Sequence, residues 1–153
     1  MRLSDHLDLE RIKVPLTGIS KEAVIRELVE LAEPDPARRE EIVYSLLQRE
    51  AIQSTAIGRE VAIPHCIAEI GSELVLAAGL HREGVDFGAG DGMDARIFVL
   101  VISSPRGRSQ HLRMLTAISR LLSREECRQR LLASEDPPAM LRNLLAQEEE
   151  LAS

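Results

Sequence analysis

Ile97-Phe98-Val99-Leu100-Val101-Ile102 is a run of six apolar residues with no polar interruption. Side chains of a strand alternate between its two faces, so such a run is stable only where both faces are covered. The run therefore commits the chain to an α/β architecture, with helices packed on a sheet. The helices are legible on both sides of it. From Ser20, the residues Val24, Ile25, Leu28, Leu31 and Ala32 recur at helical spacing. Glu33-Pro34-Asp35-Pro36 breaks that helix, and Asp35 with Pro36 supplies an N-cap and a favoured first residue for the next. The second helix shows Ile42, Val43, Leu46 and Leu47 and runs out near Arg49-Glu50. In the C-terminal third, His111, Leu115, Ile118 and Leu122 share a stripe broadened by Met114 and Leu121. Ser123 with Glu126 reads as a capping box opening a helix with Cys127, Leu131 and Leu132. Asp136-Pro137 opens a last one with Met140, Leu141, Leu144 and Leu145.

Three strands are expected, at 61–63, Leu74 to His81 and Ile97 to Ile102, with Ile12 to Leu16 as a short edge strand interrupted by Pro15. Residues 51–60 carry no clear period and read as a loop, as does the glycine-rich stretch Gly84 to Asp94. Gly88-Ala89-Gly90-Asp91-Gly92 lacks the spacing of a dinucleotide-binding turn and no helical pattern follows it. The expected fold is one α/β domain over residues 1–153, a small mixed β-sheet flanked by helices. A formal charge of −6 and 2% aromatic content argue against nucleic acid, which asks for a basic face or stacking rings. No apolar run approaches the ~18 residues of a membrane span, so no membrane insertion is expected. The N-terminal residues show no secretory signal, and two cysteines fit a reducing cytoplasm.

The candidate chemistry centres on Val61-Ala62-Ile63-Pro64-His65. Proline lacks an N–H and ends the β-type run, leaving His65 at the sheet's edge on a restricted backbone. Imidazole can act there as nucleophile, base or ligand; it can equally cap the strand end. His111 opens a helix, where the dipole disfavours imidazolium and attracts anions, or else is a core-edge histidine held by a carbonyl. Arg49 ends the second helix, where it either complements the dipole or offers a guanidinium fork to phosphoryl oxygens. Arg59, Arg106 and Arg108 are further cations near strand ends. The histidines and Cys66 lack metal-site spacing, and adjacent His65 and Cys66 would point apart on an extended backbone, so neither zinc nor a Cys–His hydrolase is expected.

These residues together resemble the IIA proteins of the bacterial phosphoenolpyruvate-dependent phosphotransferase system, fructose/mannitol class, and most of all the nitrogen-regulatory IIA proteins. The likeness runs from Leu3-Ser4 to the final helix. It is sharpest from Arg49-Glu50 through Ser54-Thr55-Ala56-Ile57-Gly58 to Ala62-Ile63-Pro64-His65. Gly84-Val85-Asp86-Phe87 with Asp91-Gly92 is a second match and His111-Leu112 a third. The resemblance implies a phosphotransferase component in which His65 accepts a phosphoryl group from an HPr-type carrier or its nitrogen-branch relative. Arg49 would clamp the phosphoryl oxygens and His111 would donate to them, while Ser54, Thr55, Gly58 and the N–H groups of that loop would cradle the anion. It implies no cofactor and no metal. Onward partners would be a regulatory target or a sugar-specific IIB domain, and the free-standing chain tilts the expectation toward regulation. A module that binds without being phosphorylated is the alternative. The chain departs from the family pattern at Ala56, at Arg59-Glu60 and at Cys66, which would be strained if its position demanded φ > 0 and which places a thiol beside the reactive ring.

Overall fold

A computed structural model describes residues 1–153. β6 (Ala95–Ser103) is the central strand. On one side it pairs antiparallel with β5 (Leu74–Val85), which pairs in turn with the short parallel edge strand β1 (Ile12–Lys13). On the other side it meets β3 (Val61–Ala62) and then β4 (His65–Ile67), both parallel to it, with β2 (Ala56–Gly58) antiparallel outside β3. The sheet is mixed, as expected. Its β6 residues alternate between two cores. Ile97, Val99 and Val101 pack with Met114, Ile118, Leu131, Met140 and Leu144, whereas Phe98, Leu100 and Ile102 pack with Val24, Ile25, Leu28, Ile42 and Leu46. Thus α1 (Lys21–Ala32) and α2 (Pro36–Ile52) cover one face, and α3 (Arg108–Leu122), α4 (Glu125–Leu132) and α5 (Pro137–Ala152) cover the other.

Caps fix most helix starts. The side chains of Ser20, Asp35 and Asp136 each accept an N–H from the first turn they open. The expected box at Ser123 and Glu126 does not form. Ser123 is spent closing α3, its N–H on Ser119 and its hydroxyl on the Arg120 carbonyl, so α4 starts from Arg124 without a side-chain cap. Two other expectations shift. Residues 51–60 are not a plain loop, because α2 continues to Ile52 and Ala56–Gly58 forms β2. β5 runs on to Val85 through an irregularity after Leu80 that leaves Arg82 and Glu83 in solvent, rather than stopping at His81.

Proline at position 64 interrupts the strand but does not end the pairing. The parallel ladder asks Pro64 only for an acceptor, and its carbonyl receives the Val101 N–H at 2.9 Å. The chain then resumes as β4, a strand hidden from any pattern reading by the proline before it. Below the sheet, Phe87 and Phe98 stack edge to face with centroids 5.1 Å apart, tying the 84–94 loop to the core. Phe87 is fully buried. Phe87→Ala is expected to cost about 3–5 kcal/mol, seen as a lower urea midpoint with little change in slope.

Candidate functional site

His65 is the first residue of β4, opposite Val101 on the central strand. Its Nδ1 lies 2.7 Å from the carbonyl of Ile63, two residues back across Pro64. A carbonyl can only accept, so Nδ1 carries the proton and the lone pair sits on Nε2. Burial lowers the pKa of this ring, with the nearby Arg49 cation adding to the effect, against the Ile63 bond and the Glu50 carboxylate, which raise it. The neutral imidazole is thereby the favoured form.

His111 stands in the first turn of α3 with its ring centroid 5.6 Å from that of His65. Its Nδ1 is 2.7 Å from Ser103 Oγ, at the end of β6. Burial, together with repulsion from His65, depresses its pKa to about 4. Arg49 comes from the last turn of α2, where Nη1 donates to the carbonyl of Gln53 at 2.7 Å. His65, His111 and Arg49 line one cleft of about 420 Å³, with Gln48, Ile52 and Ile67 around them. Three elements far apart in sequence therefore deliver two uncharged imidazoles and a cation to one place. The chemistry they offer is attack by Nε2 of His65 on an electrophile whose negative oxygens face Arg49 and His111.

Ser54, Thr55 and Gly58 do not line this cleft. The Ser54 hydroxyl donates to the Phe87 carbonyl and accepts from Ala56 N–H at 3.0 Å. The N–H and hydroxyl of Thr55 are both taken by Glu50, and Arg59 N–H by Asp91 at 2.7 Å. The N–H groups of Thr55, Ala56 and Arg59 are already engaged, and these bonds tether the segment. Gly58 lies against the Asp91 carboxylate with φ +82°, a backbone conformation that residues with a Cβ rarely adopt. Strained backbone is found at Arg59 and Glu60, with φ 55° and 70°, and not at Cys66, which lies in extended β4. Burial raises the Cys66 thiol to about 12, so its thiolate is disfavoured. His81, also buried, donates from Nε2 to the Gly18 carbonyl and accepts the Gly84 N–H at Nδ1.

Two residues that the sequence did not single out complete the surroundings. Glu50 is 8% exposed, receives Lys21 Nζ at 3.0 Å and both Thr55 groups, and so fixes the chain leaving α2. An acid in the last turn opposes the helix dipole, which was the available signal that it has another duty. Ser103 is the first polar residue after the apolar run and orients His111.

The chain matches the family described as "Phosphoenolpyruvate-dependent sugar phosphotransferase system, EIIA 2" over residues 5–147. It is 32% identical over 142 residues to a nitrogen regulatory protein of Bradyrhizobium diazoefficiens, covering 92% of each chain. It is 31% identical over 143 residues to the fructose-specific EIIABC component of Bacillus subtilis, covering 92% of this chain but 22% of that much longer one. Among solved structures, nitrogen regulatory protein IIA-Ntr from Neisseria meningitidis superposes with a TM-score of 0.85 at 24% identity, over 93% of this chain and 98% of that one. No helix is long and apolar enough to cross a membrane.

The depressed histidines give the site a pH signature. Between about pH 6.5 and pH 4 the unfolded chain protonates His111 while the folded ring stays neutral. Unfolding then takes up a proton, so stability falls as pH falls through that window, and the lowered His65 acts in the same direction. His111→Asn is expected to flatten the dependence of Tm on pH there; an unchanged slope would mean that the ring is not held neutral.

Proposed function

The chain belongs to the EIIA 2 family of the phosphoenolpyruvate-dependent sugar phosphotransferase system, and from that premise we propose that it is a phosphohistidine carrier with His65 as the acceptor. The observation that carries this reading is the Nδ1–H bond to Ile63, which leaves Nε2 unprotonated and turned to attack. The donor is a phosphohistidine on an HPr-type carrier protein. The Nε2 lone pair forms a bond to phosphorus in line as the bond to the donor's ring nitrogen breaks, and the donor, whose other ring nitrogen carries a proton, leaves with that electron pair as a neutral imidazole. No proton has to move and no metal is required, because the two rings are similar leaving groups. The Ile63 carbonyl stabilises the positive charge that spreads over the His65 ring.

Arg49, already directed across the end of α2, offers its remaining N–H groups to the equatorial oxygens. His111, with Nδ1 engaged by Ser103, presents Nε2 to the same oxygens. It donates from Nε2 when the Ser103 hydroxyl donates to its Nδ1. Ser54, Thr55 and Gly58 contribute by holding the 53–60 segment against Glu50, Phe87 and Asp91 rather than by touching phosphate.

The phosphoryl group's use is regulatory in this reading, supported by the likeness to a nitrogen regulatory protein along 92% of both chains. Delivery to a sugar-specific IIB domain is the second reading, supported by the likeness to a fructose-specific EIIABC component. Transfer from phosphorylated protein to a fructose-type IIB domain distinguishes them.

Intact-mass analysis after incubation with phosphoenolpyruvate, enzyme I and HPr is expected to show one acid-labile phosphoryl group, absent in His65→Ala. Arg49→Ala and His111→Ala are each expected to slow transfer by about 10²–10³-fold while the acceptor remains competent. A His65→Ala protein that is fully phosphorylated would move the acceptor elsewhere. No phosphorylation by either HPr or its nitrogen-branch relative would favour a module that acts by binding alone.

A further inference from the structure

Four arginines in α3 and the turn before it have no acidic partner. Residues 105–130 hold seven arginines against two glutamates, within a chain of net charge −6. Arg124 and Arg130 pair with glutamates and Arg128 donates to the carbonyls that end α3. Arg106, Arg108, Arg113 and Arg120 are exposed and enter no ion pair. Helix α3 contains no acidic residue to balance them. Positions 108, 112, 116 and 120 lie four apart and form one row along the helix. That row is Arg108, Leu112, Thr116 and Arg120, with Arg113 beside it.

Leu112 is 68% exposed in the middle of these cations. Beside the row runs a groove of about 390 Å³ lined by Met1, Leu112, Arg113, Thr116, Ala117 and Arg120. An apolar centre with a charged rim is the anatomy of a protein interface, and mutual repulsion among unpaired guanidinium groups is relieved by carboxylates across it. We propose that this face of α3 docks an acidic amphipathic helix of a partner protein. A leucine-sized side chain of the partner enters the groove against Leu112 and Ala117, and its carboxylates meet Arg108, Arg113 and Arg120. The row rises about 18 Å at 1.5 Å per residue and is inclined to the axis of α3, which suits a helix packed across it at an angle with anchors at matching spacing. Nucleic acid is disfavoured because no aromatic ring accompanies the cations, and a membrane surface because one exposed leucine is not an apolar stripe. Arg49 and His65 lie outside this face, so the proposal does not depend on phosphotransfer.

The test is an NMR titration of the isotope-labelled protein, at physiological salt, with a synthetic helical peptide bearing glutamates on one face and leucines at i, i+4 on the other. Shifts are expected to concentrate on Leu112, Arg113, Thr116, Ala117 and Arg120. Arg113→Glu with Arg120→Glu should weaken binding by about tenfold or more, and Leu112→Ala should weaken it measurably, with the remaining spectrum unchanged. The proposal is overturned by no binding, by undiminished binding to the double variant, or by equal binding of a leucine-free polyglutamate. Shifts confined to the His65 cleft, or tighter binding of phosphatidylglycerol vesicles or duplex DNA than of the peptide, would also overturn it.

Discussion

Strand β6 is the member on which the other elements depend. It pairs with β5 along its length and with β3 and then β4 on the opposite edge, and its side chains feed both cores in strict alternation. The cleft that holds the two histidines is assembled from the same strand. Val101 sets the height of His65 through the β4 ladder, and two residues on, Ser103 turns its hydroxyl to His111. Burying the six-residue apolar run and aiming the two histidines are therefore one structural act. A one-residue slip of β6 would exchange its two core faces and carry Ser103 away from His111.

The site is built so that ionisation and orientation reinforce each other. Each imidazole is partly buried, which disfavours its charged form, and each has one nitrogen engaged by a fixed group at 2.7 Å. Arg49 is the one arginine or lysine among the residues lining the cleft. A neutral nucleophile beside a permanent cation is the arrangement that phosphoryl transfer needs, since negative charge arrives with the substrate rather than with the protein. Glu50, immediately behind Arg49, anchors the loop through Thr55 and Lys21 and does not enter the cleft.

Much of this was legible in the sequence, for reasons that differ by element. The apolar run and the 3.6-residue stripes announced the layers, because burial on both faces leaves no other composition. Ser20, Asp35 and Asp136 announced helix starts because caps act within one turn of chain. His65, His111 and Arg49 could be picked out by residue type and position, and the fold brings them together. What stayed hidden depends on partners distant in sequence. Strand β4 follows a proline and is defined by pairing with Val101 to Ser103. Within 54–58 nothing local reveals that the hydroxyl of Ser54 is held by Phe87 and that of Thr55 by Glu50. Ser123 looked like a cap because its use in closing α3 is a feature of the folded turn.

In the proposed mechanism the fold presents Nε2 of a neutral His65 as the nucleophile. Long-range proton–nitrogen NMR correlations of the histidine rings at neutral pH, before and after phosphorylation, test it most directly. The expected result is a free His65 ring protonated at Nδ1 alone, and a phosphorylated ring with phosphorus on Nε2. A His65 ring that carries its proton on Nε2, or is an imidazolium at neutral pH, would contradict it.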